Sequence, residues 1–316
     1  MTTTVLGLLA GLVLLYLGAE ALVRGAAALG LKLGLTPLVI GLTIVAFGTS
    51  APELLVSVQA GLADQGAIAI GNVVGSNIAN IALILGVAAL VRPLDVKAQL
   101  VRFELPLLIG ISLVLVALLW NGVLGRLEGA ALFAGIVAYT AFSVRLSRRE
   151  QQADVVREFE EALPDASRPA WQYVAATLVG LAVLVGGARL LVWAAVDVAR
   201  AFGLSEALIG LTIVAVGTSL PELAASMVAA AKREGDIAVG NVLGSNLFNI
   251  LCVLGLAALL HPLDANGVSR VDFAVMIGVV LLALPIMRTG YRIGRPEGAG
   301  LVLIYAGYLA WLASTV

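Results

Sequence analysis

Two glutamates stand where a carboxylate is costly. Between Leu33 and Ala63 the only charged residue is Glu53, and the stretch "AFGTSAPELLVSV" (46–58) places it behind Thr49, Ser50 and Pro52. The arrangement recurs as "AVGTSLPELAASM" (215–227), with Thr218, Ser219 and Pro221 ahead of Glu222. A carboxylate in hydrocarbon costs several kcal/mol unless it is paired or faces a polar cavity. Neither stretch holds a base, and Arg189, the one intramembrane cation, is expected at a different depth. A carboxyl kept protonated, or bonded to a nearby hydroxyl, would explain one such glutamate. Two in matching, oxygen-rich settings point to a ligand site.

The prolines add backbone oxygens. Proline lacks an N–H, and its ring clashes with the carbonyl four residues back. The carbonyls of Gly48 and Gly217 therefore lose their helical partners, and non-helical backbone at membrane depth is tolerated only inside protein or along a cavity. A structural kink is the plainer reading, but hydroxyls before it and a glutamate after it suit a cation better. Helical spacing gathers further oxygens. Ser50, Glu53 and Ser57 share a face, as do Asn72, Ser76 and Asn80. Their counterparts are Ser219, Glu222 and Ser226, and Asn241, Ser245 and Asn249. Asn72, Asn77, Asn241 and Asn246 suit helix packing equally well, and Gly71, Gly75, Gly240 and Gly244 allow close backbone approach.

Every candidate ligand is oxygen. No cysteine or histidine cluster exists, since the chain has one Cys, Cys252, and one His, His261. Oxygen-only sets suit hard cations, Ca²⁺ and also Na⁺. Two carboxylates balance one Ca²⁺ or two Na⁺, and competition for that charge is a physical basis for exchange.

The elements that must position these groups are membrane helices. Of 316 residues, 61% are hydrophobic and 12% charged, with mean hydropathy +1.05, against about 45–50% and about 25% in soluble domains. A net charge of −1 gives no basic surface for nucleic acid. A bilayer core needs about 20 apolar residues per helix. Ten spans are predicted, at 4–23, 35–62, 67–91, 99–120, 124–146, 171–198, 206–231, 236–260, 269–288 and 297–315. The N-terminal stretch lacks a basic leader region and is read as a retained first span. With the N-terminus outside, fifteen Lys and Arg fall in inner connections and three (Arg126, Arg200, Arg270) in outer ones. This bias predicts both termini on the periplasmic side of a bacterial-type inner membrane.

The halves are duplicates. "GLTIVAFGTSAPELLVSV" (41–58) matches "GLTIVAVGTSLPELAASM" (210–227) at 13 of 18 positions. "IAIGNVVGSNIANIALILG" (68–86) matches "IAVGNVLGSNLFNILCVLG" (237–255) at 12 of 19, at the same offset of 169. Five spans per half is an odd number, so the second half enters from the opposite side. The expected architecture is an all-α polytopic membrane protein with two inverted-topology five-helix repeats, residues 1–147 and 169–316, joined by a cytoplasmic linker at 148–168. Such repeats are typical of secondary transporters, with sites between broken helices near the midplane.

The elements "GTSAPE" with "GNVVGSNIAN", and "GTSLPE" with "GNVLGSNLFN", resemble the α-1 and α-2 repeats of the calcium/cation antiporter superfamily, in its prokaryotic sodium/calcium exchanger branch. The resemblance implies a core of helices 2, 3, 7 and 8 around the ions, with helices 1 and 6 sliding across it. It implies that Ca²⁺ is held by Glu53, Glu222 and the carbonyls of Thr49 and Thr218. Sodium sites would draw on Ser50, Ser76, Ser219, Ser245 and the carbonyls of Ala46 and Ala215, with Asn80 and Asn249 completing the set. Some relatives carry Asp at one or both of the last two positions; Asn at both leaves two formal charges.

The chain is therefore expected to be a secondary transporter rather than an enzyme, without cofactor, exchanging Ca²⁺ for Na⁺ and working as a monomer in membrane lipid. Ca²⁺/H⁺ exchange, with Glu53 and Glu222 carrying the protons, is the alternative. An intramembrane hydrolase would need a catalytic pair of Asp, a Ser with a His or Lys base, or zinc ligands, and the spans offer Ser but no His, with no basic residue near the GTS elements. A channel is a further alternative, but paired carboxylates suit occluded binding.

Overall fold

The computed structural model describes residues 2–150, 169–202 and 215–315. Among these, eight helices are long and apolar enough to cross a membrane, or nine with one bent pair counted as a single span. In the first half they are α1 (Thr2–Lys32), the bent pair α2 (Pro37–Thr49) and α3 (Ala51–Leu62), α4 (Gly66–Val91), α5 (Leu100–Asn121) and α6 (Arg126–Glu150). In the second they are α7 (Ala170–Ala201), α10 (Gly235–Leu260), α11 (Arg270–Arg288) and α12 (Arg295–Thr315), while the four-residue α8 (Ala215–Thr218) and the twelve-residue α9 (Leu220–Ala231), which lie between α7 and α10, are too short to be counted.

Most predicted spans are found within a few residues, with three differences. Span 35–62 is two helices meeting at 47°. The first helix runs to Lys32 instead of ending at Val23. Arg24 does not stop it, because a long cationic side chain can snorkel to the polar boundary. Helix α6 runs to Glu150, since "SVRLSRRE" contains no helix breaker, so the start of the expected linker is helical. Residues 151–168, and the first part of the span expected at 206–231, lie outside the described residues.

Burial sorts the helices into two classes. Helices α4 and α10 are the most enclosed, with Ile70, Val73, Ile78, Val239, Leu243 and Leu247 wholly or almost wholly buried. The others display large apolar side chains outward, such as Leu6, Leu9, Leu12, Leu113, Leu178 and Leu303. Such a surface is costly in water and matches acyl chains. Cys252 is buried in α10, as a small core residue would be.

Helices α1 and α7 run side by side, and glycine makes this possible. A methyl group on Gly18 would lie 2.4 Å from the backbone nitrogen of Leu184, and one on Gly187 would lie 2.7 Å from that of Leu15. These contacts exchange under the offset of 169. Four two-residue strands do the same. They are β1 (Leu94–Asp95), β2 (Val123–Leu124), β3 (Leu263–Asp264) and β4 (Arg292–Ile293). β1 pairs with β4 and β2 with β3, both antiparallel, so each half's first strand takes the other half's second.

Candidate functional site

The site forms where both broken helices meet α4 and α10. Helix α2 ends at Thr49, Ser50 leaves helical geometry (φ −82°, ψ 7°), and α3 begins at Ala51. Ser219 makes the same break between α8 and α9 (φ −89°, ψ 5°). Pro52 and Pro221 are second in their new helices, where an N–H would lack an intrahelical partner anyway. Glu53 and Glu222 come next, in the first turn. The helix N-terminus is its positive end and favours a carboxylate. One local pattern thus breaks the span and seats a glutamate in the first turn after the break.

Both glutamates are buried, at 0% and 1% exposure. Each is held by a serine of the other half. Ser50 Oγ donates to Glu222 Oε1 at 2.9 Å, and Ser219 Oγ donates to Glu53 Oε1 at 3.4 Å. Ser219 Oγ also lies 3.3 Å from Ser76 Oγ on α4. The mate of that contact, Ser50 with Ser245, is not made, and Ser245 Oγ has no partner. Thr49 uses its hydroxyl on Asn241 Oδ1 at 3.2 Å, which fastens the end of α2 to α10. Ala46 is buried one turn earlier, and Ala215 opens the four-residue helix that Thr218 closes.

Asn80 and Asn249 are fully buried, and each opens a π turn, Asn80–Ile84 and Asn249–Leu254. Such single wide turns often mark functional positions. Ser57 and Ser226 differ from the face-sharing expectation. Their hydroxyls are taken by Asn72 Nδ2 (3.0 Å) and Asn241 Nδ2 (2.9 Å), which also reach the carbonyls of Glu53 and Glu222. Asn72 and Asn241 brace α3 to α4 and α9 to α10, which is the packing reading of these asparagines.

The telling feature is what remains unbonded. Six buried side-chain polar atoms among the described residues lack a hydrogen-bond partner, and five belong to this site: Glu53 Oε2, Glu222 Oε2, Asn80 Oδ1, Asn249 Oδ1 and Ser245 Oγ. A buried acceptor left unsatisfied costs roughly 1–3 kcal/mol, more if charged. Five oxygens drawn from both halves share this deficit, which a bound cation would relieve. No cluster of three or more His, Cys, Asp or Glu side chains occurs among the described residues, so two carboxylates and neutral oxygens make up the donor set.

Arg189 lies nearer this region than its place in the sequence suggested. It lines a cavity of about 310 Å³ with Pro52, Thr218 and Pro221, yet forms no ion pair with either glutamate. Glu20 and Asp197, which lie near the ends of predicted spans, tie helices together. Glu20 meets Lys232 at 2.6 Å and Arg24 at 2.8 Å, and Asp197 accepts from Thr4 Oγ1 at 2.6 Å. A third buried carboxylate, Glu104, was not singled out by sequence. It accepts from Tyr139 Oη at 2.7 Å and Gln99 Nε2 at 3.3 Å, apart from the site residues.

Fold and site together define a membrane transporter of cations. The model of the sodium/calcium exchanger protein family matches residues 3–145 and 172–313, and the chain belongs to that family. It is 41% identical to the inner membrane protein YrbG of Escherichia coli (strain K12), over 97% of this chain and 94% of that one. It is 34% identical to the sodium/calcium exchanger MaX1 of Methanosarcina acetivorans, over 98% and 99%. The sodium-calcium exchanger NCX_Mj, in a structure soaked with zero Na⁺ and Ca²⁺, superposes with a TM-score of 0.84 at 30% identity, covering 98% of this chain and 99% of that one. The protein is an integral membrane cation antiporter.

Proposed function

We propose that this protein exchanges Ca²⁺ for Na⁺ by alternating access, with one shared site at the meeting point of its halves. The carrying observation is the set of five unpartnered oxygens, one on each of two buried glutamates and three on Asn80, Asn249 and Ser245. Ca²⁺ would bind Glu53, Glu222 and the carbonyls of Thr49 and Thr218. Na⁺ would use Ser50, Ser76, Ser219, Ser245 and the carbonyls of Ala46 and Ala215, with Asn80 and Asn249 completing the set. Two carboxylates left bare in a low-dielectric interior cost several kcal/mol. The empty site is therefore slow to cross the membrane, and this barrier couples the ions. The similarity to the sodium/calcium exchangers MaX1 and NCX_Mj supports this choice of ions.

A ten-helix plan of two inverted halves supplies the alternation. The exchanged strand pairs, the reciprocal serine–glutamate bonds and the reciprocal glycine contacts of α1 and α7 support it. The close-packed α1–α7 pair would slide across the core as a unit. The bias of Lys and Arg supports both termini on the periplasmic side, and similarity to the inner membrane protein YrbG supports an inner membrane. Both glutamates belong to one chain, which supports a working monomer.

Proton-driven exchange is the second reading, favoured by one observation: neither buried glutamate has a basic partner, so protons could neutralise both. Calcium flux into proteoliposomes with an imposed Na⁺ or H⁺ gradient separates the two. Uptake driven by outward Na⁺ at equal pH is expected. Uptake indifferent to Na⁺ and driven by a pH difference would establish the second reading.

A further inference from the structure

Asn77 and Asn246 stand outside the proposed ligand set, yet they link α4 to α10 and bond to two of its members. Asn77 Nδ2 donates to the backbone carbonyl of Asn246 at 3.4 Å, and Asn246 Nδ2 donates to that of Asn77 at 3.3 Å. A backbone carbonyl only accepts, so these bonds fix which branch of each amide is nitrogen. The amide oxygens must then lie on the other branch, where they need donors. Asn249 Nδ2 supplies one to Asn77 Oδ1 at 3.2 Å, and Asn80 Nδ2 supplies the other to Asn246 Oδ1 at 2.9 Å. With their nitrogens committed, Asn80 and Asn249 turn their oxygens the opposite way. Those two Oδ1 atoms are among the unpartnered five. Polarity thus passes from main chain to site through two amides in series.

We propose that Asn77 and Asn246 are positioning residues that set ion affinity by aiming the carbonyl oxygens of Asn249 and Asn80, respectively. The pairing is crossed: each works on the ligand of the other half rather than on its neighbour three residues along its own helix. The proposal rests on the reading of Asn80 and Asn249 as ligands. It also bears on charge. The group facing Asn77 Oδ1 must be a donor, and an ionised carboxylate at position 249 would set oxygen against oxygen. The network therefore holds the site to the two charges of its glutamates.

Double-mutant cycles on the full-length protein in proteoliposomes, scored by the calcium concentration at half-maximal exchange and by the maximal rate, test this. Removing a group that orients a metal ligand typically costs 10–100-fold in affinity. Asn77→Ala should raise the half-saturating calcium concentration about tenfold, with the maximal rate per folded molecule little changed. In an Asn249→Ala background the same change should add no more than about twofold, while in an Asn80→Ala background it should multiply. Asn246→Ala should mirror this, coupled to Asn80 and independent of Asn249, and serves if Asn77→Ala does not fold. Equal effects of Asn77→Ala in all backgrounds, coupling to Asn80 instead of Asn249, or a loss confined to stability and maximal rate would overturn the proposal. An Asn249→Ala titration identical to the parent would instead remove the ligand reading, and the proposal with it.

Discussion

Ser50, at the break of one half, donates its hydroxyl to Glu222 of the other at 2.9 Å, and Ser219 returns the bond to Glu53 at 3.4 Å. The residue that ends each half-helix thus fixes the carboxylate facing it. One oxygen of each glutamate is spent on this bond and the other is left without a partner. Four consequences can be measured.

Glu53→Gln and Glu222→Gln should each abolish calcium exchange while leaving a folded protein. An amide keeps the shape and can still accept from the serine, but removes one of two charges available to a divalent ion. Melting temperature should hold or rise, because a buried charge without a basic partner is lost. Flux assays with thermal unfolding in detergent check both; retained calcium flux in both variants contradicts the site assignment.

Pro52→Ala restores an N–H four residues after Gly48 and removes the ring that crowds its carbonyl. The 47° break between α2 and α3 should relax toward a continuous helix. Exchange should drop about tenfold, the cost of about 1.4 kcal/mol in ion binding, with no loss of thermal stability. Initial rates of calcium uptake alongside melting curves test it. An unchanged rate would mean the bend does not depend on the proline.

Gly18→Ala and Gly110→Ala should have opposite signs. A methyl at Gly18 meets the backbone of Leu184 at 2.4 Å, whereas none of the described atoms lies within 4 Å of one at Gly110. Overpacking against backbone costs typically 1–3 kcal/mol, while relieving a mid-helix glycine gains roughly 0.5–1 kcal/mol. Melting temperatures of the two variants check the close approach of α1 to α7.

Lys232→Ala removes the bond from the end of α9 to Glu20 on α1, leaving Glu20 with Arg24. Both ends are partly exposed, so the pair is worth at most about 1 kcal/mol and is screened by salt. Because this bond fastens α1, half of the pair proposed to slide, to α9, its loss should raise the maximal exchange rate, up to about fivefold at low ionic strength. The gain should shrink in high salt. A slower variant would mean the bridge supports turnover.

Much of this was legible in the sequence because chemistry and periodicity coincided there. The offset of 169 joins Glu53 to Glu222 and Asn80 to Asn249, and all four are buried, the glutamates bonded to serines of the opposite half and the asparagines to Asn246 and Asn77. Less legible were properties of the space between helices. Helical spacing grouped Ser57 with Glu53, but it carries no information on which neighbouring helix would claim the hydroxyl, and Asn72 does. The crossed amides of Asn77 and Asn246 require α4 and α10 to meet at one register, which only tertiary packing decides. Glu104 was overlooked because it stands near the end of its span, where a carboxylate reads as a boundary, and its partner Tyr139 is one helix away. Glu20 was unassignable for a similar reason, its partner being Lys232 in the other half.

The most direct measurement is anomalous diffraction from crystals of the protein soaked in Sr²⁺, a heavier ion with calcium's charge and preference for oxygen. A single strong peak is expected between Glu53 and Glu222, within coordination distance of Glu53 Oε2 and Glu222 Oε2 and of the carbonyls of Thr49 and Thr218, and it should vanish in Glu53→Gln. A peak elsewhere with this position vacant, or the same peak surviving in Glu53→Gln, would contradict the central role of the glutamate pair.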